Sequence, residues 1–205
     1  GGGGGGGGGY GSAELNLIYF GSGGGSSGAF DGGGESIPTQ KGGDGGGIIF
    51  ILANNISVSG SILSNGDDGV NSTNTSYVGG DNAFGGSGSG GSILIVGNLL
   101  QGNGFLSSEG GGGGTSGTGG GGRIALHAPT INLTGLINND GGIANYDYKS
   151  SAGTIYINAT TSITSSGNIT ATGYNGTTAR INITSPLMTL SGIYNATATV
   201  APQGM

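Results

Sequence analysis

The chain has 205 residues, 55 of them glycine, with 7% charged residues, a net charge of −6 and no cysteine. Without a basic footprint, nucleic acid and other polyanions are not expected partners. Without cysteine, a disulfide scaffold and thiolate metal sites are excluded. No run of about 18 apolar residues occurs, so no membrane-spanning helix is expected.

In chain order, residues 1–12 are polyglycine carrying Tyr10. A start inside such a tract, with no Met and no signal peptide, predicts a processed form or a fragment of a longer chain. Residues 13–20 (AELNLIYF) read as a strand, because Leu15 and Leu17 alternate. Residues 21–47 are a Gly/Ser/Asp insert.

A repeated frame follows. Its best copy is Gly121 to Gly142, where Ile124, Leu126 and Ala128 alternate with Arg123, Ala125 and His127. A step of three then leads to Ile131, Leu133, Gly135 and Ile137. Alternation is the strand signal, and a step of three flips its phase. The stretch is therefore expected to be two short strands meeting at a corner near Pro129, both facing one interior. Earlier copies are Ile49, Ile51, Ala53, Ile56, Val58, Gly60, Ile62 and Ile93, Ile95, Gly97, Leu100, Gly102, Gly104, Leu106. Later ones are Ile155, Ile157, Ala159, Ile163, Ser165, Gly167, Ile169 and Ile181, Ile183, Ser185, Met188, Leu190, Gly192, Tyr194. The fourth has one extra residue at the corner, and a Gly stands four residues beyond the corner residue in all five.

Copies start 44, 31, 31 and 26 residues apart, while the patterned core barely changes length. A constant core with variable insertions predicts a solenoid. The expected fold is all-β: a parallel β-solenoid, right-handed by the usual crossover rule, of about five coils with Gly-rich inserts. Ile93, Ile124, Ile155 and Ile181 should share one inward column. The chain reads as a single domain, 1–205: a Gly-rich N-terminal part (1–47), coils with long inserts (48–122) and regular coils with short connectors (123–205).

Glycine is concentrated in residues 1–122, which hold 46 of the 55. The collagen period is absent, and a flexible linker is the usual reading of such composition. Ordered polyglycine needs partners for its amides. A three-fold extended helix has no internal hydrogen bonds and offers its amides sideways. Some runs are thus candidates for polyglycine-II-like packing beside the solenoid, the other reading being irregular loops.

Outward positions of the first strand differ between halves. Phe50, Leu52, Leu94 and Val96 are apolar, and make a patch that the inserts or a second molecule should cover. Their counterparts Tyr156, Asn158, Asn182 and Thr184 are wettable.

The clearest chemical motif is Asn-x-Ser/Thr, the N-glycosylation acceptor, at Asn55, Asn71, Asn74, Asn132, Asn158, Asn168, Asn175, Asn182 and Asn195. All fall outward, at corners or in inserts. Catalysis is not expected. His127 stands alone and reads as a surface residue. Sugar-cleaving β-helices need clustered carboxylates. Asp67 and Asp68, within the turn-like Asn65-Gly66-Asp67-Asp68-Gly69, are the one adjacent acidic pair and a weak calcium candidate. No other metal and no cofactor is called for, apart from attached glycans.

The motif Gly-Gly-x-Ile-x-Leu/Ile-x-Ala…Ile-x-x-x-Gly-x-Ile, carried best by Gly91 to Leu106 and Gly121 to Ile137, resembles Gly-rich parallel β-helix repeats of large secreted surface proteins, adhesin-like or mastigoneme-like. The polyglycine runs are similar to those of phage tail-fibre adhesins. The resemblance covers roughly residues 42–195. It implies a fold and an extracellular or cell-surface setting, and no functional residue. The expectations that follow are a glycosylated subunit of a filament, sheath or coat whose partner is itself, or an adhesin whose Gly-rich loops hold a carbohydrate or protein receptor.

Overall fold

The computed structural model describes residues 7, 12, 14–28, 30, 31, 36, 37, 39–70, 84–113, 116–143, 150–174 and 179–199. Among these there is no helix: the chain is all-β, with parallel strands in two sheets and one small antiparallel pair.

The antiparallel pair is β1 (Phe30–Asp31) with β2 (Ser36–Ile37). Then β3 (Ile48–Leu52), β4 (Asn55–Val58) and β5 (Ser61–Leu63) form a first tier. β6 (Ser92–Val96), β7 (Leu99–Gly102) and β8 (Phe105–Ser107) lie against them, strand for strand. The next tiers are β9 (Arg123–Leu133) with β10 (Ile137–Asn138), and β11 (Thr154–Ser165) with β12 (Ile169–Tyr174). The last is β13 (Arg180–Thr184), β14 (Leu187–Leu190) and β15 (Tyr194–Thr199). One sheet runs β13-β11-β9-β6-β3, with β14 on β11 and β4-β7-β9 alongside; the other runs β15-β12-β10-β8-β5.

Register follows the apolar frame. Ile49, Ile93, Ile124, Ile155 and Ile181 align in one row across the first sheet. Leu106, Ile137 and Ile169 do so in the second. Ile93, Ile124 and Ile155 are fully enclosed, and each such side chain contributes about 1.5–3 kcal/mol by leaving water.

One local expectation needs correction. β9 is continuous through Pro129, so the corner is a bend within one strand and not a break between two. The extra residue of the fourth copy is absorbed as an irregularity between Ala159 and Ser162 against β9, the one-residue insertion of a β-bulge. The true break comes later, at the repeated glycine before the second sheet. An added Cβ at Gly104, Gly135, Gly167 or Gly192 would lie closer than 3.0 Å to the carbonyl oxygen of the equivalent glycine one tier earlier. Only a residue without Cβ lets the tiers approach there.

The Gly-rich segments form a second structured region. In 85–91, the amides of Gly85, Gly88 and Gly91 donate to Val70, Asp67 and Ser64 at 2.8–3.0 Å. Those of Gly86 and Ser89 donate to Gly25 and Ser22, and those of Ser87 and Gly90 to Gly117 and Gly120. The carbonyls of Gly86 and Ser89 accept from Gly43 and Gly46, that of Ser87 from Gly7 and that of Gly88 from Gly111. Each neighbour is met at every third residue, the repeat of an extended helix with three residues per turn. Serine is accommodated where its hydroxyl reaches a carbonyl: Ser87 Oγ donates to Gly112 O (2.6 Å) and Ser116 Oγ to Gly85 O (2.7 Å).

Residues 64–70 belong to this network and are extended, so the turn expected at Asn65–Gly69 is not formed. The segment 14–20 is not a strand either. It crosses the outer side of β6 and β9: Ser92 Oγ donates to Tyr19 O at 2.7 Å, and His127 Nε2 lies 3.4 Å from Glu14 O. Leu15 is buried there at φ 53, and Ala125, whose position alternates outward, is enclosed as well.

Candidate functional site

Three features could carry function, and each follows from the strand frame. The first is the outward apolar patch. Phe50 pairs with Leu94 and Leu52 with Val96 across β3 and β6. Leu94 and Val96 are half-buried, whereas Phe50 and Leu52 are 54% and 69% exposed. His127, two strands on, is half-buried with its ring 5.5 Å from that of Tyr156. That placement makes it a packing residue on the covered side of the sheet.

The second feature is the set of sequon asparagines. Asn55, Asn132, Asn168, Asn182 and Asn195 are exposed and Asn158 is half-buried. Asn71, Asn74 and Asn175 lie outside the described residues. On the last tier, strand alternation puts Asn and Thr of one sequon on the same side. Thr184 Oγ1 donates to Asn182 Oδ1 at 3.5 Å, and Thr197 Oγ1 to Asn195 Oδ1. The Asn168 Oδ1 instead accepts from Ile193 N at 3.1 Å.

The third feature is a groove of about 660 Å³ over the second sheet, bordered by Asn65, Asp68, Glu109, Asn138, Asp140 and Tyr174. Its floor is a polar ladder. Glu109 N donates to Asn65 Oδ1 (2.9 Å), Asn138 Nδ2 to Glu109 Oε1 (2.7 Å) and Thr170 Oγ1 to Asn138 Oδ1 (3.1 Å). Thr172 N donates to Asp140 Oδ1 (2.6 Å), and Gly112 N to Asp68 Oδ1 (2.6 Å). Each of the three carboxylates thus accepts from a neighbouring tier, and acts as a strut between tiers. Burial pushes the Asp140 carboxyl above its ordinary value, against the hydrogen bonds from Thr172 and Asn138. Asp67, the other calcium candidate, is tied by its backbone to Asp44 and Gly88. Among the described residues no three His, Cys, Asp or Glu side chains gather as a metal site.

This ladder was missed in the sequence, although a signal was there. Asn65, Glu109, Asp140, Thr172 and Thr197 each stand three residues beyond the apolar residue that opens the second sheet, and all five are polar. The apolar positions of the repeat do not disclose it.

A last geometrical feature concerns the two ends of the stack. Among the described strands, β3, β4 and β5 each bond to one neighbour, as do β13, β14 and β15. Met188 occupies the row of Leu100, Ile131 and Ile163. Those three are at most 2% exposed, and Met188 is 43% exposed. Comparison with protein-family models, with curated proteins and with solved structures found no match. No helix of the described residues is long and apolar enough to cross a membrane.

Proposed function

We propose that the chain is a structural, non-enzymatic subunit of a glycosylated extracellular filament, sheath or surface coat, working by ordered self-association. In this reading the tiers close into a right-handed parallel β-solenoid of five coils. The Gly-rich segments beside it are polyglycine-II-like helices, supported by the three-residue step of their hydrogen bonds. The observation that carries the function is the pair of strand edges, β3 to β5 and β13 to β15, that bond to no further strand among the described residues. Soluble sheet proteins cap, charge or bend such edges, because a free edge recruits another strand. Here the last tier instead exposes Leu187, Met188, Leu190 and Ile193. The outward patch at Phe50 and Leu52 gives a second contact for lateral neighbours. The exposed sequon asparagines offer glycan sites, and glycans would keep so weakly charged a chain in solution.

The test is electron microscopy of natively glycosylated, full-length protein. Regular polymers are expected, with an intact mass above the bare 19.4 kDa. A monodisperse monomer at high concentration would sink the reading. The groove over the second sheet, with Tyr174 at its border, favours a second reading, a receptor-binding module. That one needs saturable binding of a carbohydrate or protein by the monomer.

A further inference from the structure

Gly60 meets nothing among the described residues that requires it to be glycine. It heads the row Gly60, Gly104, Gly135, Gly167, Gly192. At each of the other four, a Cβ would collide with the preceding tier's glycine carbonyl. At Gly60 an added Cβ would meet nothing within 4 Å, and the residue is not at positive φ. Space and conformation both admit a side chain there. Gly47 repeats the pattern at the head of Gly47, Gly91, Gly122 and Gly153, a row that ends in Ala179: the next three glycines abut the carbonyl before them, and Gly47 abuts nothing among the described residues. Both glycines make sense if another tier lies over β3, β4 and β5 and presents a carbonyl where Gly60 sits.

The last tier of this same chain has that form. It continues the frame of the first, with Ile181 in the row of Ile49, Met188 in the row of Ile56, Gly192 in the row of Gly60 and Tyr194 in the row of Ile62. Its outer edge is unpaired among the described strands, and two of its core side chains, Met188 and Leu190, are 43% and 41% exposed. Resting on the self-association reading above, we propose that copies stack head to tail. The β13, β14 and β15 edges of one copy pair in parallel with the β3, β4 and β5 edges of the next. Ile181 then faces Ile49, and the Gly192 carbonyl covers Gly60. Such a contact joins two different surfaces and does not close on itself, so it propagates as a filament. The strand rows then run unbroken from copy to copy.

The register makes the test specific. Facing residues on adjacent strands are about 4.8 Å apart, within the Cα range that a disulfide spans. With Tyr194 over Ile62, Ser61 faces Ile193, and both are exposed. The chain has no cysteine of its own. Ser61→Cys/Ile193→Cys protein, assembled and then oxidised, is expected to give a ladder of covalent oligomers on non-reducing gels. Leu63→Cys/Ile193→Cys, two residues out of register, is not. Gly60→Ala is expected to leave the melting temperature of the dilute monomer unchanged and to abolish polymers. Polymers of wild-type protein without cross-linking of the Ser61/Ile193 pair would overturn the stacking and leave self-association standing. Equal cross-linking of both pairs would overturn the register, and cross-links confined within one chain would overturn the second copy as occupant. Gly60→Ala protein that polymerises like wild type would do the same. Absence of polymers from the wild type itself would remove the underlying reading together with this one.

Discussion

Ile124 in β9 and Gly88 in the segment before β6 are both enclosed by protein, but different forces hold them. Ile124 sits in a row of aligned isoleucines, where apolar area leaves water and side chains interlock. Around Gly88 there is almost no side chain to bury. Its amide donates to Asp67 O and its carbonyl accepts from Gly111 N, both at 2.9 Å. Enclosure there depends on every amide finding a carbonyl, because an unpaired one would be costly. The strand region is therefore tolerant of shape and demanding of hydrophobicity. The Gly-rich region is the reverse: it is demanding of backbone approach and indifferent to hydrophobicity.

That contrast is broken most severely at Ile124. Ile124→Ala is expected to cost about 2–5 kcal/mol and Ile124→Val about 0.5–1.5 kcal/mol. Urea unfolding followed by far-ultraviolet circular dichroism reads both. Equal losses for the two variants would mean that the row is not close-packed.

A smaller effect is expected from Gly88→Ala, about 1–3 kcal/mol, because its Cβ would fall closer than 3.0 Å to the Asp44 carbonyl group. The same single methyl at Gly28, which has nothing within 4 Å, should instead stabilise by about 0.4–1 kcal/mol through the unfolded chain. If both glycines accept alanine equally well, the Gly-rich region is not held by close backbone contact, and the comparison collapses.

These two regions were not equally legible. The strand rows could be read to the residue: Ile93, Ile124, Ile155 and Ile181 align as the frame predicts, because alternation records directly which side of a strand is buried. The continuity of β9 through Pro129 was hidden, since a phase flip looks the same whether a strand bends or stops. Inside the Gly-rich region composition shows only that close approach is possible. It does not show which segment meets which, because Gly85 and Gly88 differ in nothing but position. The antiparallel pairing of 85–91 with 64–70 therefore could not be read, and the turn expected at Asn65–Gly69 was drawn from residue types that equally suit an extended segment. The polar ladder lay between these cases, periodic but unrecognised.

The smallest expected effect lies at Asp140, where the two regions meet in the groove. Burial raises its carboxyl above the ordinary 3.8, with hydrogen bonds from Thr172 and Asn138 pulling the other way. A carboxyl whose folded value is raised gives its full contribution to stability when protonated, below the unfolded value. That contribution is lost as pH climbs through the folded value, and at neutral pH the ionised, half-buried Asp140 is a net cost. Asp140→Asn keeps an oxygen to accept from Thr172 N and removes the charge. Its stability at about pH 7 is expected to match or exceed wild type by no more than about 0.5 kcal/mol. The gain should fade as the pH is lowered to about 3, where the wild-type carboxyl is protonated as well. Thermal melts of both proteins across that range give the comparison. A variant less stable at neutral pH, with the deficit closing in acid, would show that the Thr172 amide stabilises the anion more than burial opposes it. Asp140 would then be a strut that works best charged, and the groove floor would strengthen with rising pH.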